Sequence, residues 1–171
     1  KLGDIYSDLG LSTRTVPTVF EDGKDLKNTD ALYKGASNKI GDNGVLTEAY
    51  VDDDDNVTIV KINTYVGQVS RSVAATNSKD AYIVIAPTSA KPTGVSGNMN
   101  YETNESFEDD AYVLYTYADG EVQAVALAES VSGEVTTYTT NKNITVGGTK
   151  YDYSKNIAGT TAPATKNDYV V

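Results

Sequence analysis

Val57-Thr-Ile-Val-Lys-Ile-Asn-Thr-Tyr-Val-Gly-Gln-Val69 decides the fold, because the second half of the chain echoes it in Val122-Gln-Ala-Val-Ala-Leu-Ala-Glu-Ser-Val-Ser-Gly-Glu-Val135. Each run carries the β-branched and aromatic residues that suit a pleated surface. Each reaches a glycine, Gly67 or Gly133, and then a polar residue and a valine that restart the strand. The landmarks lie about 65 residues apart. This spacing predicts two tandem β-units near the lower size limit for a self-sufficient core, and units that small lean on each other.

Upstream of each run stands a partner strand. Val45-Leu-Thr-Glu-Ala-Tyr-Val51 turns back through the acidic Asp52-Asp-Asp-Asp-Asn56, and Ala111-Tyr-Val-Leu-Tyr-Thr-Tyr-Ala118 turns back through Asp119-Gly120. Asp-Gly between two β-type runs is a strong hairpin signal. Downstream follow Ala81-Tyr-Ile-Val-Ile-Ala86 in one unit and Asn143-Ile-Thr-Val146 in the other. Gly147-Gly148 then makes a tight turn into a strand carrying Tyr151 and Tyr153, where the first unit has a longer loop over 87–100. Long loops in repeated units are common places for binding.

The N-terminal stretch reads differently. Leu2, Ile5, Tyr6 and Leu9 fall at helical spacing, with Asp4 in the first turn and Gly10 at a C-terminal cap. Val16-Pro-Thr-Val-Phe20 then reads as a strand whose Pro17 confines it to an edge or to the strand's start, followed by a turn at Glu21-Asp-Gly-Lys24. The expected fold class is therefore all-β: two tandem small antiparallel β-barrel or sandwich-like units with a short N-terminal helix. The divisions are an N-terminal helix/strand segment, 1–35, as the tail of a preceding unit or a cap; unit 1, 36–104; and unit 2, 105–171. Residues 167–171 read as the start of a third unit, since Asp168-Tyr-Val-Val171 resembles Asp110-Ala-Tyr-Val-Leu114. The chain reads as a piece of a longer protein.

Asn43-Gly-Val-Leu-Thr-Glu-Ala-Tyr-Val51, the two opening runs and Asp110-Ala-Tyr-Val-Leu-Tyr-Thr-Tyr117 resemble the β-repeat regions of secreted cell-surface proteins of anaerobic Gram-positive bacteria that carry S-layer homology domains. The resemblance spans about residues 35–171. It implies an extracellular location, with attachment to the cell wall or S-layer through the parent protein, and other domains of that protein as partners. It supplies no functional residue.

Composition narrows the chemistry. With 24 acidic against 14 basic residues and a formal charge of −10, the chain repels a phosphate backbone, which sets nucleic acid aside. No run approaches the ~18 apolar residues of a helical membrane span, so no membrane insertion is expected. Absence of cysteine and histidine removes disulfides, thiolate metal sites and the commonest general base. Carboxylates, lysines, tyrosines and hydroxyls remain, and no pair of carboxylates stands at a spacing that singles it out for hydrolysis. The expectation is no enzyme.

Two features are candidate sites. Asp52, Asp54 and Asn56 place oxygens at alternate positions, as the first ligands of an EF-hand loop do, before the match fails at Val57 and Asn63. The expected cofactor is none, or weakly bound Ca²⁺ there, against a solvated hairpin tip. Thirteen tyrosines with no tryptophan form the other feature. Alternation puts Tyr115 and Tyr117 on one face and Tyr151 and Tyr153 on another, where rings stack on cell-wall or host glycans or serve the core. An isopeptide bond between a lysine and an asparagine, as in some surface adhesins, is a further candidate, and its sign is an intact mass lower by one ammonia. The functional expectation is a non-enzymatic spacer module of an S-layer-like surface protein; the alternative is an extracellular carbohydrate- or peptide-binding module using the tyrosine faces.

Overall fold

The computed structural model describes residues 1–12, 16–27, 40–88, 90–156, 164 and 166–170. The expected boundary at 35/36 lies outside them, as does Val171. The protein is all-β apart from one helix, α1 (Leu2–Asp8). Leu2 and Tyr6 bury one face of α1, and a Schellman motif ends it: Gly10 is left-handed at φ +72°, its N–H donates to the Ser7 carbonyl, and the Leu11 N–H donates to the Tyr6 carbonyl.

The strands form three sheets. The first holds β1 (Thr18–Glu21), β2 (Lys24–Asp25), β3 (Val45–Val51) and β4 (Val57–Asn63) in the order β2-β1-β4-β3. The second holds β5 (Tyr65–Val73), β6 (Tyr82–Pro87), β7 (Met99–Glu102), β8 (Tyr112–Ala118) and β9 (Glu121–Leu127) in the order β7-β6-β5-β8-β9. The third holds β10 (Gly133–Thr139), β11 (Asn143–Val146), β12 (Thr149–Asp152) and β13 (Tyr169–Val170) in the order β12-β11-β10-β13. Pro17 sits buried just before β1 and leaves that strand interior, where it pairs in parallel with β4. Every other described pair of strands is antiparallel.

Turn chemistry fixes the hairpins. The loops between β1 and β2 (Asp22, Gly23), β8 and β9 (Asp119, Gly120), and β11 and β12 (Gly147, Gly148) each have both central residues at positive φ. This is the type I′ geometry whose twist matches that of paired strands.

The sheets do not follow the division expected at 104/105. Hairpin β8–β9 adds to β5, with Gln68 opposite Tyr112, Gly67 opposite Val113, Val66 opposite Leu114 and Tyr65 opposite Tyr115. Strand β13 adds to β10 with Glu134 opposite Tyr169 and Gly133 opposite Val170. The chain also changes sheets at Thr64, not at Gly67: β5 runs straight through that glycine. A Cβ built on Gly67 would stand 2.5 Å from Ile85 Cγ2, and one on Gly133 would stand 2.8 Å from the Gly147 nitrogen. A side chain has no room at either glycine, because the Ile85 side chain of the paired strand stands over Gly67 and the Gly147 backbone lies against Gly133.

The second sheet curls until its edge strands β7 and β9 approach, giving a nearly closed barrel. Tyr65, Val69, Ile83, Ile85, Phe107, Val113, Tyr115 and Val122 fill it. Val19, Val57 and Ile59 of the first sheet, with Ile40 ahead of β3, pack against Leu2 and Tyr6 of α1. The third sheet buries Val135, Val146 and Ala164.

Candidate functional site: a polar junction between the sheets

Alternate residues of β4 point inward. Val57 and Ile59 are apolar, but Lys61 and Asn63 continue the same buried face. Buried polar groups require partners, and these find them in the turn that closes β1. The Asn63 backbone N–H donates to Asp22 Oδ1 at 2.9 Å, and its amide donates to Glu21 Oε1 and Asp22 Oδ2, each at 3.0 Å. Tyr65, the first residue of the second sheet, donates its hydroxyl to Asp22 Oδ2 at 2.7 Å. Lys61 Nζ stands 3.3 Å from Glu21 Oε2.

The segment leaving the third sheet closes the junction. Lys155 Nζ donates to Glu21 Oε1 at 2.8 Å, and the Asn156 amide donates to Asn63 Oδ1 at 3.1 Å and the Thr64 carbonyl at 3.2 Å. The Lys155 backbone N–H donates to the Asn43 carbonyl, and Ser154 packs where a Cβ on Gly44 would have to go. All three sheets therefore meet on Glu21, Asp22 and Asn63. On the outer side, Gly23 abuts Asp119, so the β1–β2 and β8–β9 turns touch, and Lys24 Nζ donates to the Thr93 carbonyl at 3.3 Å.

The chain matches no protein-family model, no curated protein and no solved structure.

Electrostatics make this junction a joint. Burial alone would raise the Glu21 carboxyl, but hydrogen bonds from Asn63 and Lys155 and the charges of Lys61 and Lys155 outweigh it and hold Glu21 down at about 2. Burial, then the hydrogen bond to Asp22, pushes the Tyr65 phenol up, so it stays a donor at every ordinary pH. A general base needs a pKa near the working pH, and Glu21 is far below it. Both lysines of the junction face Glu21, with Lys61 Nζ 3.3 Å from Oε2 and Lys155 Nζ 2.8 Å from Oε1.

Beside the junction lies a cleft of about 560 Å³. Glu21, Lys24, Tyr65, Pro92, Thr93 and Tyr117 are among its lining residues, so the 87–100 loop does contribute to a concavity. Of the tyrosines expected to bind, only Tyr117 is half-buried at this cleft. Tyr115 is not available as a stacking surface: it is 1% exposed inside the barrel, stacked on Tyr65 with ring centroids 5.6 Å apart. Its burial pushes its phenol up to about 12, and its hydroxyl has no hydrogen-bond partner among the described residues. Tyr151 is exposed on the edge strand β12, whereas Tyr153 is half-buried, its hydroxyl without a partner among the described residues. These rings do not form one face.

Asp52, Asp54 and Asn56 do not assemble a calcium cage. Asp52 Oδ1 accepts the backbone N–H groups of Asp54 and Asn56 at 3.0 and 2.9 Å, and its Oδ2 accepts the Asn56 amide at 3.0 Å. The carboxylate that would lead a metal site is turned into its own hairpin tip. Among the described residues no three acidic side chains gather around a point where a cation could sit.

Sequence reasoning missed the residues that matter most here: Glu21, Asp22, Lys61, Asn63, Lys155 and Asn156. A signal for two of them was present. Lys61 and Asn63 occupy inward positions of an apolar alternation, which marks a buried polar node. The Asn63 partners Asp22 and Asn156 lie 41 and 93 residues away in sequence. No local pattern couples them.

Proposed function

We propose that the chain is a structural spacer module of a bacterial, S-layer-like cell-surface protein, built as a tandem of β-repeat units in which each unit lends its leading hairpin to the sheet of the unit before it. The observation that supports this reading most is the shared register of Gly67 with Val113 and of Gly133 with Val170. A unit that completes its predecessor's sheet cannot be pulled away without shearing a hydrogen-bonded strand pair, which is the mechanical property a spacer needs. The junction at Glu21, Asp22 and Asn63 adds a second tie. Acidic hairpin tips such as 52–55, in a chain of net charge −10, keep neighbouring modules apart.

A second reading, an extracellular carbohydrate- or peptide-binding module, draws on the cleft at Tyr117 and the 87–100 loop. A melting and tyrosine-fluorescence screen against cell-wall polysaccharides, host glycans and Ca²⁺ separates the two. The spacer reading expects no saturable shift. One glycan giving a saturable shift that Tyr117→Ala abolishes would replace it with the binding module.

A further inference from the structure

We propose that the free edge of β3 is a strand-addition site for an extended, basic segment of another polypeptide, which joins the first sheet antiparallel to β3. This site stands whether the chain is a spacer or a binding module. Strand β3 ends its sheet, and its seven residues pair with β4 in one unbroken register, from Val45 opposite Asn63 to Val51 opposite Val57. The bonds at the two ends of that ladder show which groups are left over: the Thr64 N–H donates to the Gly44 carbonyl, and the Asp52 N–H donates to the Asn56 carbonyl. Even-numbered residues of β3 therefore bond to β4, and the odd-numbered ones turn their N–H and carbonyl groups the other way. Val45 already donates on that side, to the Asp42 carbonyl. Thr47, Ala49 and Val51 follow it, and among the described residues no partner takes their outward groups.

Natural sheets blunt a long edge with lysine, proline, a bulge or brevity. The edges β2 and β12 are short and carry Lys24 and Lys150, and β7 and β9 approach each other across the opening of the barrel. Strand β3 has none of these devices. It carries apolar side chains instead. Leu46 pairs with Ile62, Glu48 with Val60, and Val60 with Phe20, so these residues and Tyr50 share the outer face. The apolar stripe runs from half-buried Phe20, Val60 and Ile62 out to Leu46, 57% exposed, and Tyr50, 54% exposed, at the edge itself. Charge selects the occupant. Glu48 stands between Leu46 and Tyr50, and the acidic tip 52–55 continues the row. A second copy aligned to face Leu46 with Tyr50 sets Glu48 against Glu48, a destabilising like-charge pair. A strand with lysine or arginine opposite Glu48, and aromatic or β-branched residues opposite Leu46 and Tyr50, matches every position.

The test uses the full chain and a synthetic peptide, Lys-Ser-Thr-Val-Thr-Lys-Thr-Tyr-Thr. Run antiparallel to β3, its second lysine faces Glu48, its valine faces Tyr50, its tyrosine faces Leu46, and its first lysine reaches the acidic tip. The expected result is saturable binding with amide shifts centred on β3, and exchange of the Thr47, Ala49 and Val51 amides slowed at least about fivefold at saturation. Glu48 is exposed, so Glu48→Lys leaves the fold intact; it should weaken binding about fivefold, and a peptide with glutamate in place of its second lysine should restore it. A peptide N-methylated at its second and third threonines, which face Ala49 and Thr47, should not bind. Absence of saturable binding, equal binding of the methylated peptide, or shifts centred on another element would overturn the proposal. So would protection of the same three amides that grows with the concentration of the chain alone, which would give the edge to a second copy.

Discussion

The second and third sheets begin alike and finish differently. Each has a glycine too crowded for a side chain, a valine two residues on, and a partner strand seated through the same pair of backbone bonds. The second receives a whole hairpin and curls into a barrel filled by Tyr65, Tyr115 and six aliphatic or aromatic neighbours. Among the described residues, the third receives only β13 and buries Val135, Val146 and Ala164. The difference teaches that strand pairing sets the register of such a sheet, while its core comes mostly from what the incoming hairpin carries on its inner face. Hydrogen bonding fixes where the strand lies; apolar burial, at about 25 cal/mol per Å², supplies most of the stability.

The comparison breaks most visibly at the two equivalent valines. Val113 is fully buried, so Val113→Asp should cost about 4 kcal/mol or more by placing a carboxylate in the barrel. Val170 is half-buried on β13, and Val170→Asp should cost only about 1 kcal/mol. Urea denaturation of the two variants gives both numbers. Equal losses would mean that the third sheet already has a core as demanding as the second.

Removing the joint should come next in size. Glu21→Gln takes the carboxylate from beside the buried Lys61 ammonium and should cost about 3 kcal/mol. It also has a pH signature. The folded carboxyl sits at about 2 against an ordinary 4.5, so its contribution is whole above pH 4.5 and is lost as pH falls toward 2. The Tm of the native chain should therefore drop across that window more steeply than that of Glu21→Gln. Parallel pH profiles would remove Glu21 from the account.

The crowded glycines sharpen the likeness. Gly67→Ala and Gly133→Ala should each cost about 2 kcal/mol, because an added methyl group would overlap a packed neighbour at both positions. At Gly133 the obstruction is the Gly147 backbone, so the loss should be accompanied by faster exchange in β10 and β11. At Gly67 it is the Ile85 side chain, and β5 and β6 should respond. A neutral Gly133→Ala would dissolve the equivalence.

Tyr115→Phe should have the smallest effect. Its hydroxyl is buried without a partner, so deleting it should leave stability unchanged or raise it by up to about 1 kcal/mol. A clear loss by thermal melting would reveal a partner for that oxygen.

Much of this architecture was legible in the sequence, and the boundary of legibility is physical. Helix α1 and the three type I′ turns were readable because their signals are local: an apolar spacing, a capping glycine, Asp-Gly and Gly-Gly pairs. The strand Val45–Val51 was readable from composition and flanking turns. Alternation tells which face a residue presents but not which strand lies beside it. Hence β8 was assigned to the unit that follows it, when its hydrogen bonds go to β5. The same blindness left Tyr115 and Tyr117 open to two readings, a stacking face or a part of the core, and Tyr115 proves to be core. The junction was hidden because Glu21, Asn63 and Asn156 are brought together only by the way the sheets pack.

Native-state hydrogen exchange across a denaturant series tests the central claim most directly, because it groups amides by the unit in which they open. The shared-hairpin account predicts that β8 and β9 open with β5 and β6, at a free energy distinct from that of β10, β11 and β12. Opening of β8 and β9 together with β10 to β12, while β5 and β6 stay protected, would contradict it.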